Sequence, residues 1–242
     1  MTEQRVCLEP SDIDKLEAAA KCLRDQVLID VLYDTAGRIS EILGVAVPDI
    51  DFEHSTVTVE HLKLRIKRSC LICGARLSKT AKFCPGCGIK IELAKTEEKK
   101  TQRFRTLPLS PSTLKLLREY IDRGGPVLKD GKLLLFGITR NHAWKIIRDC
   151  ADRAGLPKLI NPETRRLHGV SPHRIRDAFA THALDVDDSG GGQRLLQEQL
   201  GHAHFDTTAK YKKVSGRELK QWHRKIKEGR KDGGTSGNTN QG

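Results

Sequence analysis

The 242-residue chain sets 43 Lys and Arg against 31 Asp and Glu, a formal net charge of +12, with 31% charged and only 5% aromatic residues. No apolar run approaches the roughly 20 residues a bilayer needs, and Met1 to Arg5 leads into no apolar signal core. A membrane span and a secreted disulfide scaffold are thereby excluded, a cytoplasmic protein is expected, and the cationic surplus favours a polyanionic partner, because each phosphate contact releases condensed counterions.

Residues 11–24 carry the pattern of a first helix, with Ser11 as N-cap and Leu16, Ala19, Ala20 and Leu23 on one face. A second, buried helix is expected over Asp25 to Tyr33, and a short one from Arg38 to about Gly44, ended by Pro48. Strand signals follow at Asp49–Phe52, at β-branched Ser55–Leu62, and again at Gln102–Leu109, where basic residues alternate with Phe104, Thr106 and Leu107. Four paired cysteines and the charged run Lys95–Lys100 lie between the last two, so the region reads as a hairpin whose turn is replaced by a zinc module. Beyond Ser110-Pro111 the pattern is helical: Ser112–Asp122, a short buried segment Leu133–Phe136, and Thr139–Ala154 ended by Gly155. Ser171-Pro172 starts a helix carrying His173 to Leu184. Ser189 to Gly192 reads as a flexible break ahead of a helix from Gln193 to Leu200. Ser215-Gly216-Arg217-Glu218 has capping-box spacing and opens a very basic helix to about Glu228. The expected division is one catalytic domain over 1–230, a module inserted at 66–98, and a disordered Gly/Ser/Thr/Asn-rich tail over 231–242.

Of seven cysteines, Cys7, Cys22 and Cys150 stand alone and read as buried or partly buried helical positions. The others form two near-identical turns, Cys70-Leu-Ile-Cys73-Gly and Cys84-Pro-Gly-Cys87-Gly, ten residues apart (84 − 73 − 1). In such a knuckle two thiolates converge on one side of a tight turn, and the following Gly lets the backbone fold around a metal. Cys70, Cys73, Cys84 and Cys87 thus supply four soft ligands for a tetrahedral Zn²⁺. Four sulfurs close the shell, so the site is expected to be structural.

A scattered set of polar residues sits at element ends: Arg38, His173 and Arg176 three apart on one helix, His202 after Leu200-Gly201, and Tyr211 nine residues later. Two arginines, two histidines and a tyrosine are the parts for phosphoryl transfer without a metal. The arginines neutralise non-bridging oxygens, a tyrosine is a competent nucleophile once its phenolate is stabilised, and the histidines shuttle protons or hold the phosphate. Singly, each has a plain structural reading; Arg38, for example, could merely pair with Glu41.

In this order and spacing the chain resembles the tyrosine recombinases, or phage-type integrases, over roughly Ile13 to Lys227. Thr35-x-x-Arg38-Ile-Ser-Glu41 is similar to the family's first arginine motif, and Ser171-Pro-His173-Arg-Ile-Arg176 to its His-x-x-Arg box. Leu200-Gly201-His202 and Tyr211 are similar to its second histidine and its nucleophile. The resemblance implies a mainly helical α+β catalytic domain with a small antiparallel sheet, here bearing a four-cysteine zinc ribbon-like insert. It also implies a 3′-phosphotyrosyl intermediate on double-stranded DNA, no cofactor for the chemistry, and a tetramer on DNA. A hairpin lysine is implied as general acid; Lys63 is the choice by position, with Lys67 and Lys100 as competitors. Three departures stand out. Asp177 follows the second arginine where a basic residue is common, Gly37 replaces a bulky apolar residue, and only a short segment precedes Arg38. The last implies either a minimal recombinase or a second DNA grip supplied by a partner, the zinc module or a further domain. A type IB topoisomerase-like or resolvase activity would use the same residues, and a non-catalytic DNA-binding regulator would leave the tyrosine idle.

Overall fold

The computed structural model describes residues 5–201 apart from 79, 162 and 163, and side chains other than those of 62–66 and 98–102. It is an α+β arrangement. Helices α1 (Pro10–Ala18), α2 (Leu23–Thr35) and α3 (Ile39–Ile42) come first, followed by strands β1 (Ile50–Asp51), β2 (Thr56–Cys70), β3 (Arg76–Leu77) and β4 (Ala94–Pro108). Then come α4 (Pro111–Asp122), β5 (Val127–Lys129), β6 (Lys132–Leu134), α5 (Arg140–Arg153), β7 (Leu159–Ile160), β8 (Leu167–His168), α6 (Pro172–Val186) and α7 (Gly190–Leu200).

The N-terminal helix differs from its expected form. Pro10 rather than Ser11 opens it, and the preceding Glu9 donates its backbone N–H to Asp12 Oδ2 at 3.1 Å. A proline at the first position suits a group that has no intrahelical partner anyway. The chain then breaks after Ala18, so Leu16 and Leu23 belong to two packed helices instead of one. Cys22 lies at that break and is exposed, Cys7 is half-buried ahead of α1, and only Cys150 is a fully buried helical cysteine.

One apolar core takes Leu16 from α1, Leu28, Ile29 and Leu32 from α2, Val57 and Val59 from β2, Leu117 from α4, Ile147 from α5 and Ile175 from α6. Of the expected buried segment Leu133–Phe136, only Leu135 and Phe136 join this core; Leu133 lies in β6 and is 41% exposed. A satellite cluster of Ala36, Ala180, Leu184, Leu196 and Leu200 seats α7 on α6. The Ser189–Gly192 segment is not a break. Ser189 Oγ accepts from Gly192 N at 3.1 Å, so the glycines form the first turn of α7. The cap offsets their poor helix propensity, and a Cβ at Gly192 would sit 2.4 Å from the Asp187 carbonyl oxygen.

β2 and β4 form one antiparallel ladder from Thr56↔Pro108 to Cys70↔Ala94. The ladder runs well past Leu62, where the alternation of β-branched residues ends. Beyond that point the strand alternates cations with Leu64 and Ile66, a period of two that still suits a pleated strand. No helix among the described residues is long and apolar enough to cross a membrane.

Candidate active site and metal centre

Glu41 is the centre of the polar site. It is 3% exposed, yet faces three basic side chains. Arg38 caps α3: its backbone N–H donates to Glu41 Oε2 at 3.0 Å and its Nη1 to Oε1 at 2.8 Å. His61 Nδ1, on β2, lies 2.9 Å from Oε1, and Arg105 Nη2, on β4, lies 2.7 Å from Oε2. Burial pushes the Glu41 carboxyl upward, but the Arg38 N–H and the Arg105 and Arg38 guanidinium groups outweigh it and hold it below the usual range. Burial also depresses the Arg105 guanidinium, with Glu41 opposing. One carboxylate among three basic groups leaves positive potential, and the Arg38 side chain keeps 36% of its surface open to solvent. Arg38 therefore pairs with Glu41 and still presents charge outward.

Arg176 joins segments far apart in sequence. It is 2% exposed on α6, and its guanidinium donates to the carbonyl oxygen of Ala36 and, at 2.6 Å, to that of Leu200. Gln199 Nε2 donates to Thr35 O at 3.0 Å, and Arg105 Nη1 to Gln199 O at 2.6 Å. The end of α7 is thus held against the loop that carries Arg38. That loop is tight: Ala36 has φ +47°, and a Cβ on Gly37 would meet Ile42 Cδ1 at 2.6 Å, so a larger residue there requires the Ile42 side chain to shift. Gly201 is fixed in the same way. It closes α7 at φ +62°, and a Cβ there would lie 2.7 Å from the Arg105 guanidinium carbon.

His173 is three residues before Arg176 and largely exposed, its Nε2 3.7 Å from Asp177 Oδ1. Asp177 also accepts from Arg174 Nη1 at 3.2 Å, so the acid that departs from the family pattern lies against both His173 and Arg174. Lys63 pairs with Thr101 in the ladder, two residues beyond His61 and at the same strand parity. Lys67 shares that parity, roughly 13 Å further along the strand, whereas Lys100 pairs with Leu64 at the opposite parity. His202, Tyr211 and the expected helix Arg217–Glu228 lie outside the described residues. The structure adds Glu41, His61, Arg105 and Gln199 to the residues singled out from sequence. Only Glu41 carried a local signal, its place three residues after Arg38.

At the far end of the hairpin the two cysteine turns repeat each other. Cys70 N donates to Ala75 O and Gly74 N to Cys70 O; Cys84 N donates to Ile89 O and Gly88 N to Cys84 O, all at 2.8–3.0 Å. Gly74 and Gly88 both have φ +71°, the left-handed conformation each knuckle needs. The four sulfurs lie within 4.8 Å of one another, with Cys70–Cys87 at 3.7 Å and Cys73–Cys84 at 3.4 Å. Tetrahedral zinc with Zn–S near 2.3 Å requires sulfurs roughly 3.8 Å apart, so the set fits. The N–H groups of Cys87 and Gly86 draw the Cys84 thiol down to about 6. Cys87 is pushed up to about 12: the Ile89 N–H favours its thiolate, but the other three cysteines and burial together outweigh it. Four thiols this close cannot all ionise alone, and a divalent cation relieves that conflict.

This is the fold of a DNA recombinase catalytic domain. The structure of the XerA recombinase aligns over 93% of this chain and 66% of its own, with a TM-score of 0.57 at 22% identity. A XerH recombinase bound to its palindromic difH substrate aligns over 91% and 53%, with a TM-score of 0.56 at 18% identity. The chain belongs to the phage integrase family, whose profile matches residues 7–78 and 69–218. Among curated relatives, the tyrosine recombinase XerD of Corynebacterium glutamicum is 29% identical over 206 residues, 82% of this chain and 51% of the relative. XerD of Mycobacterium tuberculosis H37Rv is 29% identical over 223 residues, 88% of this chain and 55% of the relative. The chain spans about half the length of these relatives.

Proposed function

We propose that this chain is the catalytic part of a site-specific tyrosine recombinase acting on double-stranded DNA in the cytoplasm. The phenolic oxygen of Tyr211 attacks the scissile phosphorus, forming a 3′-phosphotyrosyl bond as the bond to the 5′ oxygen breaks. That oxygen leaves with a proton from Lys63, and a 5′-hydroxyl of another strand later attacks the phosphotyrosine and frees Tyr211. Arg38 and Arg176 supply positive charge to the phosphate, His173 and His202 hold it and move protons, and four protomers on two DNA sites exchange strands. The bond energy stays in the covalent link, so no cofactor takes part. Cys70, Cys73, Cys84 and Cys87 hold a structural Zn²⁺ that closes the hairpin outside the reaction. The module comprises about residues 66–98, and 231–242 form a tail.

The observation that carries this reading is the position of Arg176. Its guanidinium ties the carbonyl oxygens of Ala36 and Leu200, so the segments bearing Arg38, the His-x-x-Arg box and Leu200-Gly201 meet at one buried group. The test uses nicked duplexes with a randomised core, which trap a covalent adduct when the short 5′ fragment diffuses away. A DNA-linked band that survives denaturing electrophoresis is expected with the wild-type chain and is absent with Tyr211→Phe. Persistence of that band in the variant refutes Tyr211 as nucleophile.

A further inference from the structure

The β2–β4 ladder has two faces of different character. Strand alternation puts Arg103, Lys63, Arg65, Lys99, Lys67 and Lys95 at the parity of His61, with Glu97 as the one acid among them. Arg103, Lys67 and Lys95 are exposed. The other parity holds Phe104, 62% exposed, with Leu62, Leu64 and Ile66, and its cations Arg68 and Lys100 are balanced by Glu60 and Glu98. A solvated hairpin has no need to sort its charges this way, since mixed signs on both faces serve solubility better. Like charges this close repel one another, a cost that a polyanion offsets.

The stripe is continuous with the site. The arm that carries it runs from His61, which is bonded to Glu41, to Cys70, nine residues on (70 − 61). At about 3.4 Å per residue that is roughly 30 Å, close to the ~34 Å of one turn of B-DNA. The cysteine knuckles close its far end, so the arm cannot fray there.

We propose that this arm is a second DNA grip: its basic face contacts the phosphates of the duplex for about one helical turn beyond the cleavage point, independently of sequence. The inference rests on the recombinase reading and adds the surface that steadies DNA outside the catalytic residues. The experiment measures binding of the zinc-loaded chain to a 30-base-pair duplex of arbitrary sequence, by fluorescence anisotropy, as a function of salt. Arg65→Gln, Lys67→Gln, Lys95→Gln and Lys99→Gln combined should lower the slope of log affinity against log salt by roughly 2–4, at about 0.9 for each phosphate that is no longer neutralised. Arg68→Gln with Lys100→Gln, on the other face, should lower it by less than about 1. A second variant excises residues 65–99 and joins Leu64 to Lys100 through Asn-Gly, keeping Lys63; it should lose as much slope as the fourfold variant. On a duplex of about 12 base pairs, too short to lie under both arm and site, the fourfold variant should bind within about twofold of wild type.

Equal slopes for wild type and both arm variants overturn the proposal, as does equal loss per cation from the two faces. If nicked duplexes trap Tyr211 while these slopes stay equal, the catalytic reading stands and the arm proposal alone falls. A wild-type chain that binds no duplex even at low salt removes both.

Discussion

Two polar clusters anchor opposite ends of the hairpin, and they are assembled in opposite ways. The four cysteine sulfurs come from residues 70–87, one short stretch folded on itself by two repeated turns. The Glu41 cluster draws on Arg38, on His61 and Arg105 from the two hairpin strands, and through Arg105 and Arg176 on the end of α7. One cluster needs only its own loop and a cation. The other exists only when α2, α3, the hairpin, α6 and α7 are all in place. The metal end is thus a local device grafted on the fold, whereas the arginine end is part of what makes the fold one body. Loss at one end should stay local, and loss at the other should spread.

The greatest loss is therefore expected at Glu41. Glu41→Ala leaves Arg105, whose side chain is 16% exposed, buried without its carboxylate. Breaking a buried pair on one side costs about 3–5 kcal/mol, while Glu41→Gln, which keeps an acceptor, should cost about 1–3 kcal/mol. Urea denaturation reads both. If the alanine variant lost less than about 1 kcal/mol, well below the cost of a broken buried pair, the cluster would be a surface accessory and the contrast with the cysteines would collapse. Cleavage should fall in both variants, most in Glu41→Ala, because Arg38 loses the partner that fixes its rotamer there and loses that partner's charge in Glu41→Gln.

Next in size is the other end. Cys70→Ser with Cys73→Ser, or a strong chelator, removes a metal whose binding energy in so small a module is largely its folding energy. Hydrogen exchange should accelerate over residues 71–93 alone, and the main urea transition should move by less than about 1 kcal/mol, since the core lies elsewhere. If the module also steadies Lys63, cleavage should slow even at saturating protein. A substrate with a 5′-bridging sulfur, whose leaving group scarcely needs a proton, should then recover most of the rate here and in Lys63→Ala. A main transition that drops by several kcal/mol on zinc loss contradicts the local view.

The same contrast explains what the sequence made legible. The cysteine turns were readable because ligand spacing, knuckle glycines and fold all lie within a few residues of one another. Arg38, His173 and Arg176 were singled out by residue type and order, and the structure supplies why Arg176 is buried: two carbonyl oxygens, 140 and 24 residues away, need its donors. Arg105 and Gln199 carry no local mark, since their partners are 64 and 164 residues away at Glu41 and Thr35. The first turn of the helix after Ser189 was hidden by its glycines, whose need comes from the Asp187 carbonyl pressing on Gly192. The length of the hairpin was hidden because its outer half pairs across charges rather than apolar residues.

A smaller effect comes from a carboxylate whose setting is the reverse of that of Glu41. Glu17 on α1 is pushed up to about 7 from 4.5, first by burial and then by Asp30 and Asp14. Asp30 is itself raised by burial against a Thr113 bond, and its Oδ2 is buried with no hydrogen-bond partner among the described residues. The folded chain thus holds a proton on Glu17 that the unfolded chain has already lost between pH 4.5 and 7. Stability should fall as pH rises through that window and stay low above it. Glu41 acts with the other sign: its folded value is lowered, so its contribution is present above 4.5 and is lost only as pH falls below that. The two windows do not overlap, so a pH series separates them. Glu17 is partly solvated, and screening limits its cost to about 1 kcal/mol. Glu17→Gln, a neutral isostere of the protonated form, should match wild type near pH 4.5 and melt about 2–4 °C higher at pH 8. A melting profile parallel to wild type from about pH 5 to 8 would assign the neutral-range slope to another group, while loss of the acid-side slope in Glu41→Gln alone would keep the two carboxylates distinct.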